Sequence, residues 1–262
     1  LWHSLVQVST GALTPLPLPG SFTGTSAPTA EYKWESAVLV GDDTVVAVPH
    51  NAQDVLKVQV STGALTPLPL PGSFTGTSAP TAQHKWRAAV LVDDDTVVAV
   101  PDNAQDVLKV QVSTGALTPL PLPGSFTGTS APTAQHKWRA AVLVDDDTVV
   151  AVPYNAQDVL KFQVSTGALT PLPLPESFTG TSAPTAQHKW WAAVAVDDDT
   201  VVAVPYNAQD VLKVQVSTGA LTPLPLPGSF TGTSAPTATL KWLSAVLVDD
   251  DTVVAVPFNA QD

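Results

Sequence analysis

The chain contains no cysteine, which excludes a disulfide framework, a thiolate metal site and a cysteine nucleophile. Basic residues are also few, with 11 Lys and Arg against 23 Asp and Glu and a net charge of -12. A protein that binds a phosphate backbone needs clustered Lys and Arg. We therefore expect no nucleic-acid partner. The missing cysteines do not identify the redox compartment, so the sequence assigns no localisation.

Long apolar runs are missing as well. The longest, such as AAVLV and TVVAVP, are far short of the roughly 20 residues that span a membrane as a helix. We therefore expect a soluble protein with no membrane partner. No segment has a convincing apolar period of about 3.6 residues, so the helix content should be near zero.

One 52-residue unit is written five times. The same STGALTPLPLP run follows five equivalent valines, Val8, Val60, Val112, Val164 and Val216. The units span residues 3–54, 55–106, 107–158, 159–210 and 211–262. A period in this range indicates a solenoid, a propeller or a bead array. We predict one domain over residues 1–262.

Each unit reads as four short strands. In the second unit VLKVQV alternates apolar and polar residues, which is typical of a strand. In ALTPLPLP, Pro67, Pro69 and Pro71 share one parity, so their missing N–H groups point to one side, and we predict an edge strand. TVVAVP is apolar at consecutive positions, as expected of a strand covered on both faces. From the axis outward we predict the order WRAAVLV, TVVAVP, VLKVQV and ALTPLPLP.

Four antiparallel strands per unit predict an all-β fold, a five-bladed β-propeller. The first unit begins with the third strand of a blade and the last unit ends with the second. Residues 5–19 should therefore complete the sheet begun by residues 242–257, so that two N-terminal and two C-terminal strands close one blade. A β-helix is the structural rival, but it leaves the outward prolines unexplained.

The stretch KWRAAVLVDDDTVVAVPYNAQDVLKVQVSTG resembles a kelch-like β-propeller repeat, whose pattern is approximately KWxGAVLAPNGKIYxIPxNAxxVLxIDPxTG. The resemblance covers about 31 of the 52 positions and recurs at Lys33-Trp34, Lys85-Trp86, Lys137-Trp138, Lys189-Trp190 and Lys241-Trp242. The sequence departs from that pattern at the Asp-Asp-Asp-Thr-Val turn and at VQV. The resemblance implies a propeller scaffold without an assigned reaction, so no catalytic residue is transferred.

The units differ mainly at positions next to Lys-Trp and after TVVAVP. Both positions should lie on one rim, around the mouth of a central channel. We predict a ligand-binding face there, with aromatic and Arg residues as anchors. Drift of exposed loop positions would produce the same differences. The candidate residues are Tyr32, Glu35, His50, His84, Arg87, Asp102, His136, Arg139, Tyr154, His188, Trp191, Tyr206 and Phe258.

Catalytic and metal chemistry is not favoured by fivefold repetition. Acid–base catalysis needs unlike groups at defined distances, whereas the carboxylates here recur in every unit, so we predict no enzyme. The Asp-Asp-Asp turns should be solvated rather than bind calcium. We expect His84, His136 and His188 to be kept apart by the radius of the ring, and hence no metal and no cofactor. The Lys of Lys-Trp should pair with the Asp of Asn-Ala-Gln-Asp, and the repeated phenylalanines should plug the space between blades.

Two functions remain open. The first is a non-enzymatic binding module for a carbohydrate or a protein ligand, acting as a monomer. The alternative is a structural or assembly scaffold without a small-molecule ligand, from a natural amplified or an engineered repeat.

Overall fold

The computed structural model describes residues 3–261 and contains strands and short turns. Within these residues no helix has the length and apolarity needed to cross a membrane. Helical turns are limited to three-residue 3-10 segments at Gly24–Ser26, Gly76–Ser78, Gly128–Ser130, Gly180–Ser182 and Gly232–Ser234. The expectation of almost no helix is confirmed.

Sixteen of the strands form four antiparallel sheets, numbered here in chain order. Sheet 1 contains β3 (Trp34–Val40), β4 (Thr44–Pro49), β5 (Asp54–Gln59) and β6 (Ala64–Pro69). Sheet 2 contains β7 (Trp86–Leu91), β8 (Thr96–Pro101), β9 (Asp106–Gln111) and β10 (Ala116–Pro121). Sheet 3 contains β11 (Trp138–Leu143), β12 (Thr148–Pro153), β13 (Asp158–Gln163) and β14 (Ala168–Pro173). Sheet 4 contains β15 (Trp190–Ala195), β16 (Thr200–Pro205), β17 (Asp210–Gln215) and β18 (Ala220–Pro225).

Two half-sheets flank these four sheets. The N-terminal half-sheet pairs β1 (His3–Gln7) with β2 (Ala12–Leu16), and the C-terminal half-sheet pairs β19 (Trp242–Asp249) with β20 (Thr252–Pro257). The first strands β3, β7, β11, β15 and β19 contact one another in chain order, so the sheets are arranged side by side along their inner edges.

The strand order predicted within a unit is confirmed in all four sheets. In sheet 2 the hydrogen-bonded order is β7-β8-β9-β10, with Trp86 in the inner strand and ALTPLP in the outer one. Within residues 3–261 the outer strand pairs with its inner neighbour alone, as in the register Pro119↔Leu108. The alternate prolines therefore belong to an edge strand, where a missing N–H group removes no ladder hydrogen bond.

Successive sheets pack face to face through apolar residues. We call the face of a sheet toward the next sheet its leading face and the opposite one its trailing face. Between sheets 1 and 2, Val46 and Val48 on the leading face pack with Val97, Ala99 and the fully buried Leu108 on the trailing face. The same interface recurs between sheets 2 and 3 and between sheets 3 and 4.

A Trp–Phe pair completes each interface. Trp138 is fully buried, and its ring meets Phe126 edge to face with 5.6 Å between centroids. Its indole Nε1–H donates to the carbonyl of Asp158 at 2.9 Å. The prediction that the phenylalanines fill the space between neighbouring sheets is confirmed.

The predicted closure of one blade by the two ends of the chain is not formed. In the described structure β1 pairs with β2 and β19 pairs with β20, and no hydrogen-bonded pairing joins the two half-sheets. The N-terminal half-sheet packs on sheet 1 through Leu16 and Leu18, next to Phe22 and Leu56. The C-terminal half-sheet packs beside sheet 4 through β15 and β16. Each half-sheet is held by its own neighbour, and the array is open between them.

Candidate functional site

The residue before each Lys-Trp pair has an unusual backbone conformation. His84, His136 and His188 have φ of 54°, 51° and 57°, in the left-handed region that non-glycine residues rarely adopt. Tyr32 and Leu240 share it, with φ of 50° and 60°. Such residues persist only where surrounding contacts hold them. The backbone N–H of His84 donates to the side-chain carbonyl of Asn51 at 2.8 Å, and the same bond recurs in the next three units.

The variable residue after each Lys-Trp pair is the extra residue of a β-bulge. In sheet 3 the register passes from Trp138↔Pro153 to Ala140↔Val152, which leaves Arg139 without a partner in the ladder. Arg87 and Trp191 occupy the same place in sheets 2 and 4. Because a bulge re-aims its side chain, these residues leave the alternation of the strand.

The structure brings most of the predicted residues together on one side of the array. Arg87 belongs to sheet 2 and Trp191 to sheet 4, yet the guanidinium carbon lies 5.1 Å from the ring centroid. The array therefore curves around this point. We call the group the mouth cluster; its members are Glu35, His50, His84, Arg87, Asp102, His136, Arg139, Tyr154, His188, Trp191 and Tyr206.

The part of the mouth cluster from sheets 1 and 2 is polar. Arg87 Nη1 lies 2.9 Å from Glu35 Oε2, and His50 Nδ1 lies 3.8 Å from Glu35 Oε1. On its other side, His50 Nε2 is 3.1 Å from His84 Nδ1. Burial is the main cause that lowers the pKa of His50, and it exceeds the opposite effect of Glu35. Burial therefore favours the neutral form of this imidazole, which has one nitrogen that can accept a hydrogen bond.

Asp102 is the most deeply buried charged residue of this part, with no exposed surface. Its Oδ2 lies 3.2 Å from His136 Nδ1 and 3.9 Å from His50 Nε2. Its Oδ1 is buried and has no hydrogen-bond partner within the described residues. A buried carboxylate oxygen without a hydrogen-bond partner is costly, so a donor or a cation at this atom would stabilise it.

The part from sheets 3 and 4 is a stack of cationic and aromatic groups. The Arg139 guanidinium lies 4.1 Å from the Tyr154 ring and 4.7 Å from the Trp191 ring. Tyr154 stacks on His188 with 4.7 Å between centroids, and Trp191 lies 4.9 Å from Tyr206. These contacts fill the interior of the mouth on this side.

Several predicted anchors have a different exposure from the one expected. Tyr154, Tyr206 and His50 are buried, so their rings support neighbours instead of projecting from exposed loops. Tyr32 is 63% exposed and, together with its neighbours, lines a cavity of about 520 Å³. Phe258 directly follows β20, is exposed and does not line this cavity. The cavity is lined by Thr25, Ala30, Glu31, Tyr32, Glu35, His50, Asn51, Gln83, His84, Arg87, His136 and Arg139.

The expectation that the ring would keep His84, His136 and His188 apart is wrong for the first two, and His50 joins them. The ring centroids of His50 and His84 are 4.5 Å apart, and those of His84 and His136 are 5.7 Å apart. His188 does not join this group, because it stacks on Tyr154. His50, His84 and Asp102 offer ligand atoms within 4.8 Å of one another. Sequence analysis missed His50 as a partner, because the repeat pattern does not encode the curvature of the array.

Among residues 3–261 no ion pair within 4.0 Å joins the buried lysines to the aspartates as predicted, although the charge of Asp158 acts to raise the pKa of Lys189. Nζ of Lys85 donates to the backbone carbonyls of Ala82 at 2.7 Å and Pro80 at 3.5 Å. The Asp-Asp-Asp turns were predicted to be solvated, but the last Asp of the turn in the second unit accepts hydrogen bonds from the protein. The pKa of Asp95 is lowered by hydrogen bonds from Ser113 and Gln111, which this carboxylate uses to hold the following Ser-Thr-Gly turn.

Comparison with known proteins identifies the fold but not a family. No protein-family model matches the chain, and no curated protein matches its sequence. Its structure is similar to virginiamycin B lyase from Staphylococcus aureus, with a TM-score of 0.65 and 12% identity over 98% of this chain and 70% of that chain. A streptogramin B lyase structure gives a TM-score of 0.63 and 15% identity over 99% and 77%.

The WD40 repeats of RRP9 are similar over 74% of this chain and 51% of that chain, with a TM-score of 0.50 and 10% identity. At such identities a likeness shows the fold alone, and the kelch-like resemblance stays a prediction. The chain is therefore an all-β repeat protein whose structural neighbours are β-propeller-like repeat proteins.

Proposed function

We propose that the chain is a non-enzymatic binding module that binds a carbohydrate or a protein segment at the mouth cluster. The observation that supports this most is the cavity of about 520 Å³, whose size is typical of a ligand pocket. Its walls carry Tyr32, Arg87 and His136, at positions where the repeats differ. An exposed ring next to guanidinium and imidazole groups suits a ligand that has both a flat apolar face and hydrogen-bonding groups.

The pairing of the carboxylates supports the non-enzymatic part of this proposal. Glu35 is 2.9 Å from Arg87, and Asp102 is 3.2 Å from His136. The two carboxylates therefore lie next to different nitrogens of the His50 ring, and each is engaged by a different basic side chain. A general acid and base pair needs one carboxyl group held neutral beside one held charged.

Binding is tested by screening the purified chain on glycan and peptide arrays, followed by titration calorimetry of any hit. The double variant Tyr32→Ala/Arg87→Ala should weaken binding by about 1–4 kcal/mol, because it removes an accessible ring and a guanidinium from the cavity wall. The matched control is Asp94→Asn/Asp146→Asn, which changes two exposed acidic turns of the other face. Loss of binding in the control and not in the cavity variant would place the site on the opposite face.

A scaffold without a small ligand is the second candidate. The stack of Arg139 on Tyr154 and Trp191 supports it, because these side chains already occupy the mouth next to sheets 3 and 4. If this role is correct, the arrays give no specific hit, and Arg139→Ala lowers thermal stability although no ligand is present.

A further inference from the structure

The C-terminal half-sheet presents an apolar face that has no cover. Val246, Val254 and Val256 are 54%, 48% and 46% exposed on its leading face. The residues at the same places in sheet 2 include Val98 and Val100, which are fully buried against sheet 3. The interior of the chain therefore shows what covers this face, namely the trailing face of another repeat.

The N-terminal half-sheet presents the complementary face. On its trailing side Val6 is 62% and Leu13 is 69% exposed. The residues at the same places in sheet 2 are Val110 and Leu117, which pack on the leading face of sheet 1. The C-terminal end thus exposes the leading side, and the N-terminal end the trailing side, of an interface that the chain forms three times internally.

Two apolar grooves lie beside these faces. The first, of about 340 Å³, runs between sheet 4 and the C-terminal half-sheet and is lined by Val202, Val204 and Trp242. In the complete sheets this space is filled by the third strand, with residues such as Leu108 and Val110. The second, of about 260 Å³, lies on the trailing face of sheet 1. Its lining includes Trp34, Val45, Ala47, Leu56 and Val58.

The two half-sheets correspond to the outer half and the inner half of a complete sheet. Leu16 approaches the turn at Gly63 as Leu68 approaches the equivalent turn at Gly115. A Cβ atom added to these glycines would lie 3.1 Å and 3.3 Å from the two leucine side chains. The N-terminal half-sheet therefore occupies the place of outer strands in front of sheet 1. The C-terminal half-sheet contains the inner strands of the same arrangement, since β19 contacts β15 as β15 contacts β11.

We propose that the half-sheets complete each other between two copies of this chain, with β20 of one copy paired antiparallel to β1 of the next. Val6 and Leu13 of the second copy then fill the groove beside Trp242. Val254 and Val256 of the first copy fill the groove beside Trp34. The contact joins opposite ends of the molecule, so repetition gives a closed ring or a filament of copies. This differs from the monomer expected from the sequence.

Cysteine pairs test the register of this contact. Thr96 and Gln111 are Cα partners across the second and third strands of sheet 2, and the equivalent pair at the ends is Thr252 and Gln7. Opposed residues lie about 4.5–5.5 Å apart, within reach of a disulfide. The chain has no cysteine of its own. A mixture of Gln7→Cys and Thr252→Cys chains should form a disulfide-linked dimer under mild oxidation. The control is a mixture of Thr252→Cys and Gln59→Cys chains, which should form none, because Gln59 lies in β5, a third strand already paired within its own sheet.

Light scattering tests the association itself. The unmodified chain should give masses that are multiples of 27.1 kDa and rise with concentration. Two double variants each block one end of the chain, Val254→Lys/Val256→Lys the C-terminal half-sheet and Val6→Lys/Leu13→Lys the N-terminal one. Each variant alone should be monomeric. A mixture of the two should give a dimer and nothing larger, because each dimer then has both of its outer ends blocked. Thr118→Lys/Thr170→Lys, on exposed outer strands, should associate like the unmodified chain.

Two outcomes overturn the proposal. The first is a single mass of 27.1 kDa at all concentrations. The second is a disulfide within one chain of the double variant Gln7→Cys/Thr252→Cys in dilute solution, which would show that the ends close on themselves.

A second inference concerns the mouth cluster and does not depend on an organic ligand. We infer that His50, His84 and Asp102 bind one zinc ion. Two imidazoles and a carboxylate are a ligand set that zinc accepts, and His50 and His84 also line the cavity of the mouth cluster. Their ligand atoms are separated by 3.1 Å between His50 Nε2 and His84 Nδ1 and by 3.9 Å between His50 Nε2 and Asp102 Oδ2. Tetrahedral zinc with bonds of about 2.1 Å needs ligand atoms about 3.4 Å apart.

Two neighbouring groups lie next to these ligands. His50 Nδ1 is buried without a hydrogen-bond partner among the described residues, and the nearest recorded carboxylate oxygen, Glu35 Oε1, is 3.8 Å away, close enough to become a hydrogen-bond partner after a small shift. His136 lies 3.2 Å from Asp102 Oδ2 and restrains that carboxylate. The other carboxylate oxygen, Oδ1, is buried and has no hydrogen-bond partner within residues 3–261, so the negative charge of Asp102 is incompletely compensated where the ion would bind.

Calorimetry with Zn²⁺ and absorption spectroscopy with Co²⁺ as a probe test this site on the chelator-treated chain. We expect one ion per chain and tetrahedral Co²⁺ bands. His50→Ala and the isosteric Asp102→Asn should each weaken Zn²⁺ binding by at least tenfold. His188→Ala is the matched control, because His188 is at the same repeat position as His84 and stacks on Tyr154 instead. Equal affinity in all variants whose circular dichroism is native, or no binding by the unmodified chain, would refute the site.

Discussion

Replacing Trp138 with alanine is expected to lower the free energy of unfolding by about 3–5 kcal/mol. The side chain is fully buried between sheets 2 and 3, where it packs on Phe126. The substitution leaves a cavity and removes the donor to the Asp158 carbonyl. Chemical denaturation followed by far-ultraviolet circular dichroism measures the change.

Trp191→Ala provides the comparison for this result. Trp191 follows a Lys-Trp pair in sheet 4, is partly exposed and contacts Arg139 and Tyr206 at the mouth. Its loss should cost less than the loss of Trp138, because less apolar surface returns to water. If the two variants unfold at the same denaturant concentration, the interface between sheets is less important for stability than its burial indicates.

Raising the pH from 7 to 9 should stabilise the protein. Burial lowers the pKa of Lys85, Lys137 and Lys189 from 10.5 to about 7, and that of Lys241 to about 8. In this pH window the unfolded chain still binds these protons, whereas the folded chain releases them. The free energy of unfolding therefore rises with pH through this window. Differential scanning calorimetry at constant ionic strength should show a higher Tm at pH 9.

Two variants test whether the buried lysines cause this pH dependence. Lys137→Met removes one of the fully buried amines, so its Tm should change less between pH 7 and pH 9. Lys161→Met is the control, because Lys161 is only partly buried and donates to the Val216 carbonyl at 2.9 Å. A Tm that is flat or falls toward pH 9 in the unmodified chain would mean that the carbonyls of Ala134 and Pro132 hold Lys137 charged in spite of its burial.

The repeat itself made the sheets predictable. Five copies of one unit supply the same strand pattern each time, so an interpretation of one unit applies to all. The parity of Pro67 and Pro69 identified the outer strand, and the continuous apolar run of TVVAVP identified a covered one. Both inferences depend on local backbone chemistry, which the sequence encodes directly. The observed order β7-β8-β9-β10 agrees with them.

The membership of the mouth cluster was predictable, but its contacts were not. Comparison of the units indicated His50, Arg139 and Trp191 as variable positions. It did not indicate that Arg139 and Trp191 are bulge residues or that His50 lies within hydrogen-bonding distance of His84. These contacts join residues of different units, and their distances follow from how far each sheet turns relative to the next.

The sequence alone determined the period, the strand order and the all-β architecture, because these follow from alternation, turn residues and proline geometry within about 50 residues of chain. Tertiary structure decided whether the ends meet. The angle between neighbouring sheets is set by the packing of residues such as Val46 against Val97, and a small change in that angle accumulates over successive interfaces. Whether β1 reaches β20 depends on the sum of those angles over the whole array, and no single unit contains that information. In the structure the two strands are not paired.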